Sequence, residues 1–141
     1  MPLEIAVAML ERQGQWLLQL RDDIAGIVHP GTWGLFGGHL DPGETPEQAV
    51  RRELLEEIGW QAGSLRHWFS CTDPNRVLHV FRGPLTVPLE ELRLMEGQGL
   101  TLASQADLET GQVWSEQLQE FRPLAPSLQL TLRRLLEEGG R

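Results

Sequence analysis

Three glutamates, Glu53, Glu56 and Glu57, stand at i, i+3 and i+4 in the stretch GHLDPGETPEQAVRRELLEEIGW, Gly38 to Trp60. On a helix that spacing stacks the carboxylates on one side within about one turn. Like charges at i, i+4 cost roughly 0.2–0.5 kcal/mol per pair when nothing neutralises them. Asp41, Glu44 and Glu47 add negative charge nearby. Hard oxygen donors at this density suit Mg²⁺ or Mn²⁺, which take carboxylates, water and phosphate oxygens. A solvated acidic face accounts for the same residues, and the donor chemistry alone leaves the two readings level.

The element that must carry these side chains is bracketed by its own residues. Thr45-Pro46-Glu47-Gln48 has the form of a capping box, with Thr45 as N-cap and Gln48 three residues on. Pro46 fits the first helical position, where its missing N–H costs nothing. Gly59 is expected just past the last turn. The spacing thus predicts a helix over Pro46–Ile58. At about 100° per residue, Val50, Leu54, Ile58 and Leu55 fall on one arc, expected to face a core. The three glutamates follow on the next arc, with Arg52 at its far edge.

Gly38, Glu44, Arg52, Glu53, Leu54, Glu56, Glu57, Gly59 and Trp60 match G-x5-E-x7-R-E-U-x-E-E-x-G-U, where U is bulky and apolar. This resembles the Nudix box, the signature of hydrolases acting on nucleoside diphosphates linked to another moiety. Seven positions specified by identity, each met by chance about one time in twenty, make coincidence very improbable. The resemblance continues outside the box toward the MutT-type nucleoside triphosphate pyrophosphohydrolases. Ile5-Ala6-Val7 is similar to their first strand, Glu96-Gly97-Gln98 to a loop that supplies a further carboxylate, and Leu128 to Glu138 to their last helix.

The resemblance implies Mg²⁺-dependent hydrolysis of a pyrophosphate bond in a nucleoside triphosphate, nucleotide sugar or dinucleotide, with Mn²⁺ as a substitute ion. Glu53, Glu56 and Glu57, with the carbonyl of Gly38, would hold the metal, which acidifies the attacking water. By the same resemblance Arg52 orients the carboxylates, Glu53 is the general base, Glu44 supports them, and Glu96 is a candidate extra ligand or base. Trp33 and Phe36 flank the glycine turn and offer faces to a nucleobase; core packing is the other reading of both. Arg21 is a candidate for a phosphate or base edge, or a surface partner of Asp22 or Asp23. Two departures bear on the substrate. Phe36 stands where MutT-type chains have proline before Gly-Gly, and Ala125 aligns with the asparagine that reads oxidised guanine. Cleansing of oxidised dGTP is therefore not the favoured activity.

Length and composition agree. A chain of 141 residues with 40% hydrophobic content is expected to form one domain, 1–141, with a sizeable core. A net charge of −8 argues against a nucleic-acid partner, which calls for a basic surface, but not against a small nucleotide. The single cysteine, Cys71, allows no internal disulfide. With no membrane-length apolar run and no leader-like N-terminus, a cytoplasmic location is expected and no membrane partner. A homodimer is suggested by family likeness alone.

Strands are expected at Glu4–Leu10, Gln15–Leu20, Leu65–Ser70, Val77–Arg82 and Leu100–Ala103, with an extended Trp33–Phe36. Turns are expected at Gln13-Gly14 and Thr72–Asn75, and a polar loop over Arg21–Thr32. Pro84–Gly99 reads as irregular. Ser104 can cap a short helix over Gln105–Glu109, and Pro126-Ser127 can open a last helix with Leu128, Leu132, Leu135 and Leu136 on its apolar side. Trp68, Phe69 and Phe81 are expected in the core. His29, His39, His67 and His79 lack the paired helical spacing of a zinc site and read as structural. Strands interleaved with helices give an α/β class with a mixed sheet, and the resemblance implies a Nudix-type α/β/α sandwich. Two other classes fit less well: a nucleotide-sensing module on the same scaffold, and a diphosphate isomerase, which would use a cysteine placed elsewhere.

Overall fold

The structure, a computed structural model, describes residues 3–21, 31–95 and 99–139. Among these, nine strands and three α-helices follow in order: β1 (Leu3–Arg12), β2 (Gln15–Leu20), β3 (Trp33–Gly34), β4 (Phe36–His39), α1 (Pro46–Ile58), β5 (Arg66–Thr72), β6 (Arg76–Pro84), β7 (Gly99–Ser104), α2 (Gln105–Glu109), β8 (Gln112–Ser115), β9 (Glu120–Pro123) and α3 (Pro126–Gly139). The chain divides into two compact units, Met1–Gln13 with Phe36–Met95, and Gly14–Leu35 with Glu96–Arg141.

In the first unit β1 runs parallel to β6, from Leu3↔Arg76 to Glu11↔Pro84, and antiparallel to β4, from Ile5↔His39 to Ala8↔Phe36. β5 pairs antiparallel with β6. The result is a mixed sheet, as expected from the interleaved pattern. β1 is buried on both faces, with Ala6, Val7, Ala8, Met9 and Leu10 all inside, which is why its residues form a near-continuous apolar run. Helix α1 packs on β4, β1 and β6 through Val50, Leu54 and Ile58.

The second unit is built on β2, antiparallel to β3 and to β7. Ser104 caps α2 through a reciprocal pair with Asp107. Helix α3 turns Leu128, Thr131 and Leu135 inward. Among the described residues no helix is long and apolar enough to cross a membrane.

Several expectations are corrected. The segment after α2 contains an antiparallel pair, β8 with β9, that sequence periodicity did not reveal. Four-residue strands are too short for alternation to register. Leu136 is exposed, because the inward stripe of α3 is narrower than its leucines suggest. Leu55 is 55% exposed, since one further step of about 100° carries it off the buried arc of α1. Trp68 is half-buried, with the Arg82 guanidinium 4.5 Å from its ring centre, whereas Phe69 and Phe81 are core. Pro84–Gly99 includes one 3₁₀ turn, Leu89–Glu91. Most of the Arg21–Thr32 loop, together with Glu96, lies outside the described residues.

Candidate active site

Helix α1 starts and stops where its residues dictate. Gln48 N–H donates to Thr45 Oγ1 at 3.2 Å and Thr45 N–H to Gln48 Oε1 at 2.9 Å, closing the capping box. Gly59 adopts φ 63°, and its N–H donates to Leu55 O at 3.0 Å.

The glycine turn is shaped by close approach. At Gly37 φ is 148°, and a Cβ there would fall 2.1 Å from Ala6 O, so only glycine fits. Gly37 N–H donates to Glu57 Oε1 at 2.9 Å. Glu57 is 4% exposed, so this carboxylate sits on the core side of α1 rather than at its rim. A carboxylate is buried only where hydrogen bonds receive it. Gly38 abuts Glu53: a Cβ on it would lie 2.7 Å from Glu53 Cδ.

Arg52 joins the remaining carboxylates. Its Nε donates to Glu44 Oε2 at 2.7 Å and its Nη2 to Glu44 Oε1 at 3.0 Å, a two-pronged pair. Its Nη1 donates to Glu53 Oε1 at 2.9 Å and to Glu56 Oε2 at 3.1 Å, and Nη2 also reaches His39 O at 3.1 Å. Asp41 Oδ2 is 3.4 Å from Nε. The hydrogen bond to Glu44, then the hydrogen bond to Glu53 and the charges of Glu53 and Asp41, raise the Arg52 pKa above its already high value against the opposing effect of burial. Reciprocally the Arg52 hydrogen bond, then the Asp41 N–H at 2.8 Å, hold Glu44 below the ordinary carboxylate range. Asp41, Glu44, Glu53 and Glu56 thus share one guanidinium, and most of their negative charge is left uncompensated by it.

This donor set of hard oxygens fits a divalent cation by its chemistry. As the side chains stand, Glu53 and Glu56 turn onto Arg52 and Glu57 onto Gly37. Among the described residues no three His, Cys, Asp or Glu side chains converge on one point where a metal would sit.

The structure brings Gly38, Glu44, Arg52, Glu53 and Glu56 into one connected group, with Glu57 beside it, all in the first unit. The chain belongs to the Nudix family. The NUDIX domain model matches residues 2–116. The nucleoside triphosphatase NudI of Escherichia coli is 44% identical over 57 residues, 40% of this chain and 40% of that relative's length. A MutT NUDIX hydrolase from Burkholderia pseudomallei superposes with a TM-score of 0.72 at 22% identity, over 94% of this chain and 97% of the other. The NUDIX domain of Shewanella oneidensis NrtR, solved with ADP ribose, gives 0.71 at 19% identity, over 98% and 88%. At such identities the likeness is one of fold: the Nudix mixed sheet with flanking helices. Nudix hydrolases generally use a divalent cation.

The other site residues foreseen in this Nudix chain are placed differently. Phe36 is 1% exposed and packs as core on β4. Trp33 and Arg21 lie in the second unit. Trp33 is 2% exposed, with Nε1 donating to Val113 O at 2.9 Å. Its ring borders a cavity of about 590 Å³ shared with Leu100, Thr101, Trp114 and Phe121. Arg21 N–H donates to Thr32 O at 2.9 Å. Sequence reasoning missed the His39 carbonyl as an Arg52 acceptor, because a backbone oxygen leaves no residue-type signal.

Proposed function

We propose that this chain hydrolyses a phosphoanhydride bond in a nucleoside diphosphate derivative, with Mg²⁺ as the working ion and Mn²⁺ able to replace it. The observation that carries the reading is the gathering of Glu44, Glu53 and Glu56 on one guanidinium, on a helix whose remaining carboxylate is buried on Gly37. Glu53, Glu56, Glu57 and the Gly38 carbonyl would hold the ion. A bound ion neutralises phosphate oxygens and makes water a stronger acid.

The chain's own residues then do the following. A carboxylate oxygen of Glu53 takes the proton of the attacking water. The water oxygen bonds to phosphorus, and the bond to the bridging oxygen breaks, its electron pair leaving with the departing phosphate. Arg52 sets the spacing of the carboxylates, and Glu44 fixes Arg52 through both prongs. Glu96 is the candidate further carboxylate. The family match across residues 2–116 includes parts of both units, which supports reading the chain as one catalytic domain.

NudI is a nucleoside triphosphatase, and the NrtR domain holds ADP ribose. Both ligand classes contain a phosphoanhydride, so both belong in the test. A panel of nucleoside triphosphates, nucleotide sugars and dinucleotides is incubated with Mg²⁺ or Mn²⁺, and released phosphate and pyrophosphate are measured. Cleavage of at least one compound is expected, with E53Q reducing turnover about 100-fold or more. Full activity in E53Q or E57Q would overturn the reading. Tight nucleotide binding without cleavage by the unaltered chain would support a sensing module instead.

A further inference from the structure

On the open part of the first unit's sheet, four polar side chains from three strands form one chain of hydrogen bonds. His67 Nε2 is 2.7 Å from Ser70 Oγ, and Ser70 Oγ is 2.8 Å from His79 Nδ1. His79 Nε2 is 2.9 Å from Glu4 Oε1. None of these residues belongs to the carboxylate site on α1.

The convergence depends on a bulge. His67 and Ser70 are three apart, so a regular strand would point them to opposite faces. The register on β6 passes from His67↔Phe81 to Phe69↔Val80 and then Ser70↔His79. Trp68 is the extra residue, and it returns His67 to the face that carries Ser70 and His79. On the neighbouring parallel strand Ala6 pairs with His79, and Glu4, two residues earlier, shares that face.

Proton counting determines what the cluster presents. Ser70 has one hydroxyl proton, so it donates to only one of the two imidazoles. Glu4, as a carboxylate, accepts from His79 Nε2–H and leaves the Nδ1 lone pair directed at Ser70. A histidine whose far nitrogen is held by a carboxylate is the usual arrangement of a metal ligand. The His79 side chain is 14% exposed, so its ring is held by packing as well as by Glu4.

We propose that His67 Nε2 and His79 Nδ1 form a two-nitrogen site for a borderline transition-metal ion, Zn²⁺ or Cu²⁺, with Glu4 positioning His79. Imidazole selects such ions over Mg²⁺. Both nitrogens face the Ser70 hydroxyl; Ser70 donates to His79 Nδ1 and accepts from His67 Nε2–H, so His67 carries its proton on Nδ1 instead when an ion takes that place. Rotation of Ser70 opens the place to an ion bound about 2.0–2.1 Å from each nitrogen, with water completing its shell. The site is independent of the hydrolytic reading and stands if that reading fails.

The test is a Zn²⁺ titration of the whole chain in excess Mg²⁺, followed by the imidazole NMR signals and by calorimetry. The signals of His67 and His79 are expected to move together at one equivalent, while those of His39, beside the carboxylate site, stay. H67Q and H79Q should each weaken binding at least about tenfold, and E4Q about tenfold through loss of the orienting carboxylate. Movement of His39 alone, unshifted His67 and His79 signals, or undiminished affinity in the H67Q/H79Q double variant would overturn the proposal. The signals of the unaltered protein decide the matter even where a variant fails to fold.

Discussion

Gly38 lies so close to Glu53 that a Cβ on the glycine would fall 2.7 Å from the glutamate Cδ and 2.9 Å from each carboxylate oxygen. The turn and the helix are thus fitted to each other through one side chain. Its neighbour Gly37 is fitted to backbone, with Ala6 O and Val7 Cα in the space a Cβ would need. The two glycines therefore separate stability from activity.

Gly37→Ala should destabilise by about 3 kcal/mol or more, because backbone cannot yield and φ is positive. Gly38→Ala meets only the end of a flexible side chain. It should cost about 1 kcal/mol or less in stability, yet lower turnover about 100-fold by displacing Glu53. Urea unfolding beside a phosphate-release assay checks both.

Leu54 and Leu55 are adjacent and chemically identical, but Leu54 is 0% and Leu55 55% exposed. Leu54→Ala should cost about 2–5 kcal/mol. Leu55→Ala should stay within about 0.5 kcal/mol. Equal unfolding midpoints in urea would contradict the placement of α1.

Arg52→Lys keeps the charge but loses the fork that holds Glu44 by two bonds while reaching Glu53 and Glu56. Turnover should fall about 10–100-fold with the fold intact. Steady-state kinetics with circular dichroism would show this, and unchanged turnover would remove Arg52 from the positioning role.

The pKa of Glu44 is lowered in the folded chain, first by Arg52. Its contribution is therefore fully present above the unfolded carboxylate pKa. It is lost as pH falls through the lower folded value. E44Q removes this titration, so the difference in melting temperature between parent and E44Q should shrink on acidification below the ordinary carboxylate range. Melts across pH in the presence of a chelator test the sign.

Local chemistry was readable directly. Thr45, Gln48, Pro46 and Gly59 act within a few residues of themselves, so both ends of α1 follow from the chain alone. The same holds for Ser104 and α2. The carboxylate spacing was equally legible, because a helix converts sequence distance into direction. What escaped were relations across strands. The β8–β9 pair exists because two short segments meet each other, and neither has enough residues to show a period. Periodicity placed Leu55 with Leu54, but burial depends on which arc of α1 meets β4, β1 and β6, and Leu55 lies off it. Glu57 is drawn inward by Gly37 N–H, twenty positions away in the chain. His67 joins Ser70 and His79 only through the bulge at Trp68, a feature of two strands in register. Contacts within one turn are determined by neighbours on the chain; contacts between elements wait until packing decides which faces meet.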